Sequence, residues 1–424
     1  YIDGELKDVD VAIKDGKIIQ IGQISEEAKE TINAKGHTVL PGCIDTQTHF
    51  REPGSTDTED LYSGSRAAIA GGITSVFEMP NTNPPTANMR EFERKLDLAK
   101  NRMYCNYAFY FGATANNASD LASLKGLVGC CGIKLFAGSS TGNLLVDEED
   151  DIDKVFQNAS KVVAVHSEDE TILKANKKLI KEGDVHTHPV WRSVECAIAS
   201  TRRIVRIAEK HNKKAHVLHV TTKEEIDFLS QHKGNITFEI TPQHLTLYAP
   251  DCYDKLGTYA QMNPPLRDKS HYDRLWYGVR NNLNDTIGSD HAPHLKENKD
   301  KVYPNTPSGM PGVQTLIPVM LNHINDGKLS LNQLMNFVCE NPVKIFGIKN
   351  KGFIKEGYDA DFTIVDMNKI IEIKNENIES KCKWSPFNGY KLKGTPTHTI
   401  IAGKIKMQDG NILGDPDGNP LQFS

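Results

Sequence analysis

The 424-residue sequence predicts an α/β protein: a (β/α)8 barrel carrying a small discontinuous β-sandwich-like domain built from both termini. Three observations predict it. Between about 41 and 345, apolar strand-like runs alternate with stretches of helical spacing, the rhythm of βα units around a buried parallel sheet. Both ends of the chain show short alternating strands broken by tight turns. His, Asp, Lys and Arg fall at the C-terminal ends of the predicted strands, where a barrel collects its reacting groups. The expected boundaries are 1–40 with 346–424 for the composite β-domain and 41–345 for the barrel, with a doubly wound open sheet as the lesser alternative.

Val9 to Lys14, the Asp15-Gly16 turn and Lys17 to Ile21 read as a hairpin. Eight candidate strands follow, at Cys43–Thr48, Thr74–Met79, Tyr104–Gly112, Gly132–Phe136, Val162–His166, His216–Val220, Thr237–Thr241 and Thr286–Asp290. Asp60–Ala70, Asn88–Asn101, Ser193–His211 and Lys223–Gln231 have helical spacing and few breakers between them. A second β-rich block starts near Gly352 and closes with Thr397 to Met407, punctuated by turns at Ala402-Gly403 and Asp409-Gly410. Chain ends that lie close together allow the two blocks to form one unit.

Fifty basic against 55 acidic residues leave a net charge of −5, which argues against a nucleic-acid binder working by counterion release. The longest apolar stretches, such as Val128 to Gly132 and Leu316 to Leu321, fall far short of the roughly 18 residues a membrane span needs. The eight cysteines form no C-x-x-C pair, so reduced, buried thiols in a cytoplasmic protein are the expectation rather than a disulfide scaffold or a cysteine zinc site. The chain has no signal-peptide pattern and opens on Tyr1 rather than Met, so a few native residues are expected to precede it.

The first barrel strand ends in Gln47-Thr48-His49-Phe50-Arg51, where residues two apart share a face, so Gln47 and His49 point into the barrel mouth. Two imidazoles at that spacing would clamp a metal; with one, a structural His49 is the better reading of this segment alone. Lys134 stands inside an apolar strand, where an ammonium must be paired, neutralised or modified. Carbamylation would make it an anionic ligand able to bridge two metals, and an outward, snorkelling lysine is as good a reading. His166 and His219 each end a β-branched run; singly each suits a hydrogen-bonded core histidine, and at successive strand ends they favour metal. Asp290, in Ser289-Asp290-His291, offers one carboxylate oxygen to a metal and one to a proton, or else caps a helix. The set His49, Lys134, His166, His219 and Asp290, in barrel order, is far more specific than any member. His186-Thr187-His188 is a literal H-x-H in a polar turn before a helix and reads as loop histidines.

These residues, with the segments HFREPG, MPNTNPPT, VHSEDE, MNPPLR and SDHAPH, resemble the cyclic-amide branch of the amidohydrolase superfamily, and within it the dihydroorotase family. The resemblance covers essentially the whole chain, including IKDGKIIQIG at the front and GYDADFTIVD and SPFNGYKLKGTPTHTIIAGK at the back. It implies reversible, metal-dependent hydrolysis of (S)-dihydroorotate to N-carbamoyl-L-aspartate, a step of pyrimidine biosynthesis, with zinc as the usual metal, one or two per chain. By this similarity His49 ligates the more buried metal, carboxylated Lys134 bridges, His166 and His219 hold the second metal, and Asp290 ligates and acts as base. Arg51, Asn81, Asn263 and His294 grip the substrate, and the loop at Ser308-Gly309 adds backbone contacts. Arg51 suits that task because a guanidinium presents a planar fork to a carboxylate.

Gln47 is the departure, standing where the family has His; an amide oxygen is a weaker zinc ligand than imidazole, which loosens the expected buried site. The rival activities are those of a dihydropyrimidinase, hydantoinase or allantoinase. A rival of another class is a non-catalytic subunit bound to aspartate transcarbamoylase, with Gln47 its only sequence support. A small-molecule substrate and a homodimer, the commonest closed assembly, complete the expectations.

Overall fold

Val, Ile and Phe crowd the runs that form the barrel, because a parallel strand covered on both faces has no solvent side on which to place polar residues. In the computed structural model, which describes residues 1–140 and 142–424, these runs form one eight-stranded parallel sheet. The N-terminal strands are β1 (Asp10–Lys14), β2 (Lys17–Gly22) and β3 (Thr38–Pro41). The barrel strands are β4 (Cys43–Thr48), β5 (Ile73–Glu78), β6 (Asn106–Gly112), β7 (Cys130–Phe136), β8 (Val163–His166), β9 (Ala215–Val217), β10 (Ile236–Ile240) and β11 (Thr286–Ile287). They lie in sequence order, and the sheet closes where Thr48 bridges His291 in parallel and the His49 N–H donates to the His291 carbonyl at 2.8 Å.

Ile44, Phe77, Ala108, Tyr110, Cys131 and Ala164 come from five consecutive strands and fill the barrel interior with Phe346. The other face of each strand packs on the helices: Val163 and Val165 point outward into the larger core, and Ala164 points inward. The helices start where the sequence supplies caps. Asp60 accepts from the Ser63 N–H ahead of helix Leu61–Ala70, Ser193 caps Val194–Lys210, and Thr222 with Glu225 forms a capping box for Lys223–Leu229.

Both termini build the antiparallel part. β12 (Phe362–Glu372) pairs with β3 from the other end of the chain and with β13 (Lys391–Ile401), followed by β14 (Lys404–Gln408) and β15 (Asn411–Ile412). Asp15-Gly16, Ala402-Gly403 and Asp409-Gly410 all take positive φ, the geometry that two-residue hairpin turns require. Residues beyond β12 also reach the barrel mouth, where the Trp384 indole N–H donates to the His294 carbonyl at 2.7 Å. All eight cysteines are buried free thiols. Among the described residues no helix is long and apolar enough to cross a membrane.

Candidate active site

The barrel strands end in a cleft of about 370 Å³ that is lined by every predicted site residue except His294, which sits behind Arg51. Two local devices aim the side chains. The pairing of β4 with β5 shifts register between Asp45 and Thr48, a bulge that re-aims the strand end so that Gln47 and His49 both line the cleft. Arg51, His219 and Asp290 take φ of 63°, 37° and 44°, left-handed values that non-glycine residues adopt at a cost of about 1–3 kcal/mol and that concentrate at functional sites.

The donors form two pairs. His49 Nε2 lies 3.2 Å from Asp290 Oδ1, and His166 Nδ1 lies 3.1 Å from His219 Nε2. Lys134, 1% exposed, acts electrostatically on all four. Burial lowers its ammonium to about 7 against the opposing pull of Asp290 and Glu239. Burial likewise raises the Asp290 carboxyl to about 7, with the Lys134 charge opposing the rise. Burial, reinforced by neighbouring cations, holds His49 and His219 well below the usual histidine range, so both rings are neutral.

Gln47 turns its amide N–H onto Asp290 Oδ1 at 2.9 Å and leaves its Oε1 buried without a hydrogen-bond partner. Among the described residues no three His, Cys, Asp or Glu side chains already converge on one point. Neutral imidazoles, a buried carboxyl and an orphaned amide oxygen around a lysine whose ammonium burial brings down to about 7 are nonetheless the chemistry a divalent cation takes.

In the same cleft, Arg51 is buried and its Nη2 donates to the Pro293 carbonyl at 3.2 Å, while its Nε has no hydrogen-bond partner. Burial lowers its guanidinium to about 10, so it remains a cation at neutral pH. His294 Nε2 donates to the Ser308 carbonyl at 2.9 Å and stands 3.3 Å from Arg51 Nη2. Asn81, expected only as a substrate grip, also meets the His49 ring, with Oδ1 2.9 Å from Nδ1.

Three buried residues escape the sequence reading. Glu168 meets His166 Nε2 at 2.8 Å, and Arg192 forks onto Glu168 at 2.7 and 3.1 Å. Burial would raise the Glu168 carboxyl, but the Arg192 charge and the His166 contact outweigh it and hold it far below the usual range. The third corrects an expectation. His186 is indeed a surface histidine 3.2 Å from Asp254, but His188 is fully buried against Met262 and Asn263. The polar residues around it hide this, because burial there comes from a loop some 75 positions away.

Barrel, composite β-sheet and the titratable groups gathered at the strand ends together have the architecture of a hydrolase. The chain belongs to the amidohydrolase family, whose model matches residues 38–406. Over 96% of its length it is 33% identical to the dihydroorotase of Methanothermobacter thermautotrophicus, of which it covers 92%. It is 34% identical to the dihydroorotase of Pyrococcus furiosus over 97% of this chain and 92% of that one. Among solved structures it superposes on the L-hydantoinase (dihydropyrimidinase) of Arthrobacter aurescens with a TM-score of 0.93 at 29% identity, covering 98% and 96% of the two chains.

Proposed function

We infer that this chain is a dihydroorotase, a hydrolase of cyclic amides that reversibly opens (S)-dihydroorotate to N-carbamoyl-L-aspartate. Relatives named dihydroorotase match nearly the full chain, and the hydantoinase likeness supports the same cyclic-amide chemistry with a different ring. The observation that carries the choice of ring is Arg51. A buried cation in the cleft with an unsatisfied N–H asks for an anion, and dihydroorotate carries a carboxylate that hydantoin and dihydrouracil lack.

In this reading His49, Gln47, Lys134, His166, His219 and Asp290 hold one or two zinc ions. Lys134 is suited to carboxylation because burial favours its neutral amine: the nitrogen lone pair forms a bond to the carbon of CO2 and the nitrogen loses a proton, leaving a carbamate anion. When bound, the metal lowers the pKa of a water and polarises the ring carbonyl. Asp290 accepts the proton of the attacking water and returns it to the departing amide nitrogen as the C–N bond breaks. In ring closure it takes that proton from nitrogen and returns it to the departing hydroxide, which leaves as water. Arg51 and His294 hold the substrate carboxylate, and Asn81 and Asn263 fix the ring.

Arg51→Ala tests the choice of ring. Losing a buried charged hydrogen bond costs about 2–5 kcal/mol, so kcat/KM for dihydroorotate falls roughly 30-fold or more. Metal content stays unchanged. Undiminished turnover of dihydroorotate by Arg51→Ala contradicts the assignment.

A further inference from the structure

We propose that the single helical turn His188–Trp191 with Arg192 is a brace that sets both halves of the cleft, His188 and Arg192 being positioning residues for Asn263 and His166. The proposal rests on the site reading of the preceding subsection and adds two residues that do not line the cleft themselves.

Arg192 works through Glu168. Its Nε donates to both Glu168 oxygens at 3.1 Å and its Nη2 to Oε2 at 2.7 Å, while a further Nη2 contact reaches the Ser139 carbonyl. Gripped by this fork, Glu168 faces the cleft side as an acceptor, and the ring nitrogen that donates to it is His166 Nε2, 2.8 Å away. The lone pair of Nδ1 is thereby turned into the cleft towards His219. A ligating histidine needs its other nitrogen fixed in this way.

His188 applies the same logic to the other wall. Its Nε2 lies 3.0 Å from the Met262 carbonyl, which can only accept, so Nε2 carries the proton. The same nitrogen lies 3.0 Å from Asn263 Oδ1. That contact assigns oxygen to the buried side of the Asn263 amide and leaves its NH2 free to donate to a carbonyl or carboxylate oxygen in the cleft. The two braces are tied together by one turn, since the Arg192 N–H donates to the His188 carbonyl at 3.0 Å. The turn is itself clamped by Arg267, whose Nη1 donates to the Arg192 carbonyl at 2.7 Å.

The test separates the two arms. Metal-stripped wild type, Arg192→Met and His188→Phe are titrated with Co2+ and followed by the visible absorption of the bound ion, and KM and kcat for dihydroorotate are measured at saturating metal. Arg192→Met is expected to bind Co2+ about 10-fold or more weakly with an altered spectrum. His188→Phe is expected to keep wild-type Co2+ affinity and to raise KM about 10-fold, with kcat within about threefold. His188→Gln, which restores an N–H donor, is expected to recover most of the KM. If Arg192→Met does not fold, Glu168→Gln reads the same hydrogen bond. Wild-type Co2+ affinity and spectrum in the Arg192 or Glu168 variant, or an unchanged KM in His188→Phe, overturns the brace. A wild type that binds Co2+ but does not open dihydroorotate overturns the function assigned above, and the Co2+ comparison still decides the Arg192 arm.

Discussion

Gln47 and His49 share one oxygen of Asp290: the amide N–H of Gln47 and Nε2 of His49 both approach Oδ1. A histidine at position 47 would trade that hydrogen bond for a stronger metal ligand, so Gln47→His is expected to retain metal against a chelator about 10-fold better than wild type, measured as metal per chain after dialysis. Unchanged retention contradicts a ligand role for this position. Asp290→Asn keeps the shape of the side chain and loses the proton acceptor, so kcat is expected to fall about 10²- to 10⁴-fold. At this scale the sequence was legible where a residue type was out of place. A lysine in an apolar strand and a histidine ending a β-branched run are visible without coordinates, and both line the cleft. Glu168, Arg192 and His188 were not legible, because a charged or polar residue beside a loop looks solvated until its distant partner is known. The second contact of Asn81, with His49, belongs to the same class.

Among elements, helix Leu61–Ala70 depends on the Asp60 cap, which accepts from the Ser63 N–H at 2.7 Å and contacts Lys381. Burial would raise the Asp60 carboxyl, but Lys381 and the Ser63 hydrogen bonds lower it below its ordinary value. A carboxyl depressed by folding stabilises above its unfolded pKa of about 4 and loses that contribution as pH falls through its folded value. Asp60→Ala is therefore expected to cost about 1 kcal/mol in denaturant unfolding at pH 7, with the gap to wild type closing as pH drops below about 4. Gly138 follows β7, and a Cβ there would lie 2.4 Å from the Glu168 carbonyl oxygen. Gly138→Ala is expected to destabilise by about 1–3 kcal/mol and to weaken metal retention, because the backbone it displaces carries the partner of His166. Strand positions were read well from apolar runs: expected Val162–His166 and Thr237–Thr241 appear as Val163–His166 and Ile236–Ile240. The last strand was read too long. It stops at Ile287 because Asp290 adopts a left-handed conformation, which strand propensity does not report. The bulge in β4 was equally hidden, since it exists only against the register of β5.

For the whole molecule, two ends of one chain close a sheet, β3 pairing with β12 across more than 300 positions, beside a barrel whose own ends meet at Thr48 and His291. Alternating strands at both termini made that pairing readable, and the βα rhythm between them made the barrel readable. The depth and wall chemistry of the cleft came only with the fold. They place a buried cation with an unsatisfied N–H in one cleft with a cluster of neutral imidazoles, and this juxtaposition is why a ring bearing a carboxylate is the inferred substrate. The most direct measurement takes protein purified without chelator, quantifies metal per chain, and in the same preparation follows ring opening of L-dihydroorotate beside dihydrouracil and hydantoin. One or two metals per chain with dihydroorotate opened fastest is the predicted result. Faster opening of dihydrouracil or hydantoin, or no metal and no turnover after zinc and bicarbonate are supplied, would contradict it.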